Sequence, residues 1–215
     1  MEKIFDLNNP VWKFIGNLWD FFVLSVLTVL CSLPVVTAGA ALTALYYVTL
    51  KMASDEEGKV VPQFWQAFRG NLRQVTPAWI LLLLIGAVLG IDFLYGLTGG
   101  TNFASAMLIV SGICLVLYGC VLLMSLVLFA RVRNTTRNIL MMAGAMAVRN
   151  FLPAFSAFLV MLAFVLVGLF VFWPVLLVTP GLPAYLSSRL YNRILQKYGF
   201  SLDLVDEEED SSFSN

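Results

Sequence analysis

The stretch FLYGLTGGTNFASAMLIVSGICLVLYGCVLLMSLVLFA, residues 93–130, contains no Asp, Glu, Lys or Arg. Three further stretches, 21–50, 74–91 and 150–188, are also free of these residues. About 20 apolar residues are enough to cross a bilayer core of about 30 Å, whereas the core of a soluble domain does not need such long uncharged runs. The pattern therefore predicts an all-α, polytopic transmembrane helical bundle.

The composition supports this class and excludes several others. Hydrophobic residues make up 60% of the 215 positions and charged residues 12%, and the formal net charge is zero, which argues against nucleic-acid binding. There is no His, so neither a Ser-His-Asp triad nor a His-ligated zinc site is available. No phosphate-binding G-x-x-x-x-G-K-[ST] motif occurs. We expect no enzyme activity, no metal and no cofactor.

The charge distribution also sets the expected domain organisation. Residues 1–202 are predicted to form a single transmembrane helical domain in the lipid bilayer. Residues 203–215 contain six acidic side chains and no basic one. Such a composition is typical of a solvated, disordered end. We expect a cytoplasmic tail there.

Two spans, about 77–97 and 104–130, are predicted to form a hairpin around the turn at 98–102. The turn contains no basic residue, whereas the segments flanking the hairpin contain eight. By the positive-inside rule these flanking segments are cytoplasmic and the turn is outside. The eight basic residues are Lys51, Lys59, Arg69, Arg73, Arg131, Arg133, Arg137 and Arg149.

The runs 21–50 and 150–188 leave two topologies open, because each contains Pro and Gly residues that break helices. If each run bends at these residues, at 32–39 and at 173–183, the chain has six membrane segments in three hairpins. Both termini are then cytoplasmic in a bacterial plasma membrane, and we favour this arrangement. If each run is one crossing, the chain has four crossings with extra interfacial helices.

Five residues at membrane depth are candidates for lining a cavity or binding a ligand. Asp92 is either a solvated acid near a helix end or a contact for an ion or substrate. The tyrosines either line a cavity for a polyhydroxylated ligand or satisfy interhelical hydrogen bonds. Arg189 either lies on a half-length interfacial helix or faces a polar interior. The full candidate set is Asp92, Arg189, Tyr46, Tyr47 and Tyr185.

The segment 62–73 has the clearest amphipathic pattern in the chain. Its aromatic residues fall on one helical face, and polar and basic residues surround the other. The pattern predicts either an interfacial helix on the inner leaflet or a surface that docks a partner protein. The candidate docking residues are Phe64, Trp65, Phe68, Arg69 and Arg73.

Several motifs resemble the YesL-like family of bacterial integral membrane proteins. The resemblance extends over most of the chain. Where members of that family often have Pro-Leu before Ala-Arg, this chain has Val127-Leu128-Phe129, a minor departure. The motifs are LPVVTAG at 33–39, TALYYVTLKM at 43–52, DEEG at 55–58, FRGNLRQ at 68–74, ARVRNT at 130–135 and RNFLP at 149–153.

The family has no established activity, so the resemblance supplies no catalytic residues. Similar members are often encoded beside carbohydrate ABC importers and sensor kinases in Firmicutes. The resemblance thus implies a non-enzymatic accessory membrane protein associated with carbohydrate import or saccharide sensing. ABC permease subunits and a membrane sensor kinase are the expected partners. The alternative is a small-solute transporter in its own right.

Overall fold

The computed structural model describes residues 10–54, 58–170 and 180–198. Within these ranges it contains seven helices and no strand, which confirms the all-helical prediction for this part of the chain. The predicted acidic tail lies outside the described residues, and so do residues 173–179 of the bend predicted at 173–183. The helices are α1 Pro10–Ser32, α2 Ala38–Ala53, α3 Val60–Thr98, α4 Asn102–Arg131, α5 Thr136–Arg149, α6 Phe151–Phe170 and α7 Gly181–Lys197.

Three of these helices are long and apolar enough to cross a membrane, which indicates a membrane protein. They are α3, α4 and the part of α6 from Phe151 to Gly168. The apolar part of α1, Trp19–Ser32, is shorter, and α2 and α7 have only 16 and 17 residues. Six membrane segments are therefore not supported by the described part of the chain.

The turn between α1 and α2 lies beside the middle of α3. The helix breaks where predicted, and Thr37 Oγ1 donates to the carbonyl oxygen of Cys31 at 2.7 Å. Trp79 Nε1 on α3 donates to the carbonyl oxygen of Val35 in this turn at 2.8 Å. Trp79 precedes Thr98 by 19 residues, or about 28 Å along α3, so the α1–α2 turn lies far from the turn at 98–102.

Helix α3 joins two elements that the sequence predicted as separate. The amphipathic segment 62–73 and the span 77–97 form one helix of 39 residues, with Pro77 inside it. Proline lacks the N–H that would bond to the carbonyl of Arg73 four residues earlier. The neighbouring side chains of Val75, Ala78 and Trp79 are buried. Packing on both sides of Pro77 therefore supports the helix across the missing bond.

Helices α3 and α4 pack closely because small residues lie between them. A Cβ on Gly96 would lie 2.8 Å from the backbone N and Cα of Leu108, so only glycine allows this approach. Further along, the Tyr118 hydroxyl donates to the carbonyl oxygen of Leu82 at 2.6 Å. The predicted turn between the helices is present, and Gly100 in it has a φ of 57°.

Several helix ends meet at one end of the molecule, called the basic end below. Asn192 Nδ2 on α7 donates to Ser54 Oγ after α2 at 2.9 Å, and Asn150 Nδ2 before α6 donates to Tyr198 Oη at 3.1 Å. Gln74 on α3 donates to the carbonyl of Asn134 after α4. The helix termini at this end carry the basic residues Lys51, Lys59, Arg131, Arg133, Arg149 and Lys197.

Candidate functional site

The structure places Tyr46 in the core of the bundle. Its side chain is fully buried, and its ring meets that of Tyr191 on α7 edge-on, with 6.1 Å between the centroids. The Tyr46 hydroxyl faces Ser187 without reaching hydrogen-bond geometry. The Ser187 hydroxyl instead donates to the carbonyl oxygen of Pro183 at 2.7 Å. Tyr46 therefore packs α2 against α7.

Polar side chains at depth connect α2 to α7. Thr49 Oγ1 and Ser188 Oγ are 2.9 Å apart and both are buried. A carbonyl oxygen of its own helix also lies within reach of each hydroxyl, Leu45 at 3.0 Å from Thr49 Oγ1 and Ala184 at 2.7 Å from Ser188 Oγ. Because each hydroxyl has one proton, one of the two donates to the other and the second donates to the carbonyl of its own helix. The hydrogen bond between Thr49 and Ser188 joins the two helices, whereas the buried hydroxyl of the candidate Tyr46 makes none.

Arg189 lies on the exposed face of α7. Its Nη2 donates to Tyr185 Oη at 2.9 Å, and its guanidinium lies 5.2 Å from the centroid of the same ring. The Tyr185 ring packs against Phe21 of α1, with 4.8 Å between the centroids. These contacts place Arg189 on the outside of the described bundle, beside Tyr185 and close to α1. Neither Arg189 nor Tyr185 lines a cavity described below.

A cavity with mostly apolar walls, called the apolar cavity below, lies between α2, α3, α4 and α6. Its volume is about 750 Å³, and Tyr46, Tyr118 and Phe158 are in its walls. No charged side chain is among its described lining residues. Asp92 is partly buried on α3 and does not line this cavity. The structure therefore does not bring Asp92 together with the other candidates.

A polar pocket of about 570 Å³ lies at the basic end between α2, α3 and the end of α4. Tyr47 is the only sequence candidate that lines it, and the Lys51 ammonium lies 5.2 Å from the centroid of the Tyr47 ring. No local pattern in the sequence predicts this pocket, because two of its wall residues, Gln74 and Asn134, are 60 positions apart along the chain. Its polar lining residues are Tyr47, Gln66, Asn71, Gln74, Arg131, Arg133 and Asn134.

The candidate docking face on α3 divides between core and surface. Phe64 is fully buried, and its ring stacks on that of Phe68, which is 9% exposed, at 6.1 Å. Trp65 is 39% exposed, and the Arg69 guanidinium lies 5.6 Å from its ring centroid. Arg73 is also exposed. Of the five candidate docking residues, Trp65, Arg69 and Arg73 are therefore the exposed ones, and they are here called the α3 strip.

Among the described residues, no three His, Cys, Asp or Glu side chains lie close enough together to hold a metal ion. The chemistry of the polar pocket is different, because its walls contain guanidinium and amide groups, which donate hydrogen bonds. The guanidinium groups, which have no acceptor, favour anions over metal cations.

One family matches part of the chain. Residues 16–93 match a family described as "Protein of unknown function, DUF624". This match covers less than half of the chain and includes the motifs at 33–39, 43–52, 55–58 and 68–74. No curated protein and no solved structure matches the chain.

Proposed function

We propose that the chain is a non-enzymatic accessory membrane protein associated with carbohydrate ABC import or saccharide sensing. Its partner is an ABC permease subunit or a membrane sensor kinase. The carbohydrate context comes from the resemblance to the YesL-like family. The observation that carries the accessory role is the pairing of the Thr49 and Ser188 hydroxyls, because one donates to the other and the second donates to a carbonyl of its own helix.

This use of polar groups argues against a transport path through the described part of the molecule. A sugar needs several polar side chains aimed at its hydroxyls, since unpaired polar groups are costly to bury. The apolar cavity offers only hydrocarbon and aromatic walls apart from Tyr46 and Tyr118. The Tyr118 hydroxyl is already bonded to the Leu82 carbonyl. An accessory role needs no such path.

The α3 strip supplies the partner surface in this proposal. Trp65 is an exposed aromatic residue at the basic end, and Arg69 packs over its ring. Aromatic and Arg side chains are the commonest energetic anchors of protein interfaces. Exposed ion pairs contribute only about 0–1 kcal/mol each, so Trp65 is expected to supply most of the affinity.

The accessory role predicts co-purification through the α3 strip. Combining Trp65→Ala, Arg69→Ala and Arg73→Ala should reduce the recovery of the permease or kinase from native membranes by about tenfold, which corresponds to about 1.4 kcal/mol. The measurement is affinity purification with quantitative mass spectrometry of the co-purifying chains. Membrane insertion of the variant is checked by its resistance to carbonate extraction.

A matched control changes two arginines and one large apolar residue elsewhere at the basic end. Arg137, Met141 and Arg149 are exposed on α5, and replacing all three by Ala should leave recovery unchanged. Equal recovery with the two triple variants would refute the role of the α3 strip. Saccharide uptake by liposomes containing the purified chain alone would replace the accessory role by the transporter alternative.

The proposed location is a bacterial plasma membrane, with both termini and the basic end cytoplasmic. The charge distribution supports this orientation. In a chain whose Cys31, Cys114 and Cys120 are replaced by Ala, Asn102→Cys should react with an impermeant maleimide in intact cells. Val148→Cys should react only after permeabilisation. The reverse pattern would overturn the orientation, and both positions are exposed, so burial does not confound the comparison.

A further inference from the structure

The polar pocket has features that the accessory role does not use. Its volume of about 570 Å³ lies within the range of small-molecule sites, about 300–1,000 Å³. The polar pocket is therefore larger than the volume that a single inorganic ion occupies. Gly70 forms part of the α3 wall, and a Cβ built there would meet nothing within 4 Å. The α3 wall of the pocket therefore leaves space for ligand atoms next to the Gly70 backbone.

The charge of the pocket selects an anion. Arg131 and Arg133 both line it, and no acidic side chain is among the described lining residues. Both arginines also interact with other residues. A guanidinium has five N–H donors, so such interactions leave it able to bind a further acceptor. The amide groups of Gln66, Asn71 and Gln74 also line the α3 wall. Asn71 and Gln74 each use one N–H on the carbonyl of Ala67 or Asn134, which leaves a second N–H of each amide as a donor.

The position of the pocket indicates which anion is available. Helix α4 contains no charged residue before Arg131, its last residue, so the pocket lies where the apolar span stops. Phosphate groups of lipids lie at this depth, and basic pockets between membrane helices bind phospholipid headgroups. Arg side chains also suit phosphate geometrically, because their planar fork contacts two oxygens at once.

We propose that the polar pocket binds the phosphate group of an organic ligand through Arg131, Arg133 and the amides of the α3 wall. The same chemistry is present in an anionic phospholipid headgroup and in a soluble phosphate ester. The site is separate from the α3 strip, because none of Trp65, Arg69 and Arg73 lines the pocket. It also does not depend on the accessory role.

The test uses the full chain, purified in a neutral detergent and stripped of lipid. Phosphatidylglycerol is titrated against it in mixed micelles, with phosphatidylcholine as the uncharged comparison, and inorganic phosphate and glycerol 3-phosphate are titrated separately at constant ionic strength. Native mass spectrometry measures bound ligand. If phosphatidylglycerol is the one ligand that binds saturably, the phosphate belongs to a lipid headgroup. If glycerol 3-phosphate also binds saturably, the site accepts a soluble phosphate ester. Either result supports the site.

A steric variant tests whether the pocket is the place of binding. Gly70→Leu should weaken binding by at least about tenfold, because the new side chain enters the pocket without removing a charge. Gly144→Leu on α5 is the matched control, since a Cβ there also meets nothing within 4 Å and Gly144 does not line the pocket. Equal affinities of these two variants would overturn the proposal.

A charge variant tests the role of the arginines. Arg133 is exposed, so Arg133→Gln should fold normally and bind about tenfold more weakly, as expected for a lost charge-assisted contact. Arg69→Gln, which removes a basic residue outside the pocket, should have little effect. Equal losses for both variants would show general attraction to positive charge and refute a specific site.

The acidic residues 203–210 have the charge that Arg131 and Arg133 attract, so the test must separate an effect of these residues from binding of the phosphate. Deleting residues 203–215 should leave the ligand affinity within about twofold, because the proposal makes the phosphate the occupant. Binding that appears only after this deletion would assign the pocket to the tail and overturn the proposal. Absence of saturable binding to the intact and the shortened chain would overturn it as well.

Discussion

Replacing Phe64 by Ala is expected to lower the free energy of unfolding by about 3–5 kcal/mol, the usual cost of deleting a buried phenyl ring. The Phe64 side chain is fully buried and stacks on Phe68. Its removal leaves a cavity whose walls lose their dispersion contacts. The measurement is thermal unfolding of the purified chain in detergent, followed by the fraction that remains monodisperse on size-exclusion chromatography.

Trp65→Ala is the control, because Trp65 is the next residue on the same helix and is 39% exposed. It should cost much less stability than Phe64→Ala while reducing partner recovery. A Phe64→Ala variant that melts like the unsubstituted chain would show that the ring contributes no core packing. The comparison also matters for the docking hypothesis. Loss of a partner after Phe64→Ala would report damage to the fold rather than to an interface.

Replacing Gly96 by Leu is expected to lower the free energy of unfolding by about 2–3 kcal/mol through overpacking. A Cβ at this position would lie 2.8 Å from the backbone of Leu108. Backbone atoms cannot rotate away as a side chain does, so α3 and α4 must separate. The same thermal assay measures the loss, and protease sensitivity near the turn at 98–102 should increase.

Gly90→Leu provides the matched control on the same helix. A Cβ at Gly90 meets nothing within 4 Å. Leucine also has a higher helix propensity than glycine, so the control should be neutral or slightly stabilising. A comparable loss for both variants would contradict the close approach of the two helices at Gly96.

The charge-free runs were sufficient to predict the helical class, the hairpin around 98–102 and the break after Ser32. These features depend on local rules, namely the length of an apolar run and the effects of Pro and Gly. The depth of the α1–α2 turn does not follow from such rules. It is set by the bond between Trp79 and Val35, and no local pattern indicates a contact across 44 positions.

The same limit applies to the candidate residues. The amphipathic pattern of 62–73 predicts that one face is buried, but it does not show whether lipid, a partner or the rest of the chain buries it. The sequence therefore could not distinguish Phe64 in the core from Trp65 at the surface. The polar pocket was missed for a related reason. Gln74 and Arg133 are unremarkable in their own segments, and only the packing of α3 against the end of α4 brings them to one cavity.

The unbroken course of α3 fixes the rotational phase between its two halves. Trp65 precedes Pro77 by 12 residues, or about 18 Å along the axis. Each residue rotates a helix by about 100° about its axis. One residue inserted between Trp65 and Pro77 would therefore rotate Trp65 to another side of α3, whereas seven inserted residues would return it to nearly the same side. A protein that contacts Trp65 is therefore held at a set distance along the helix axis, and at a set angle around it, relative to residues 77–98.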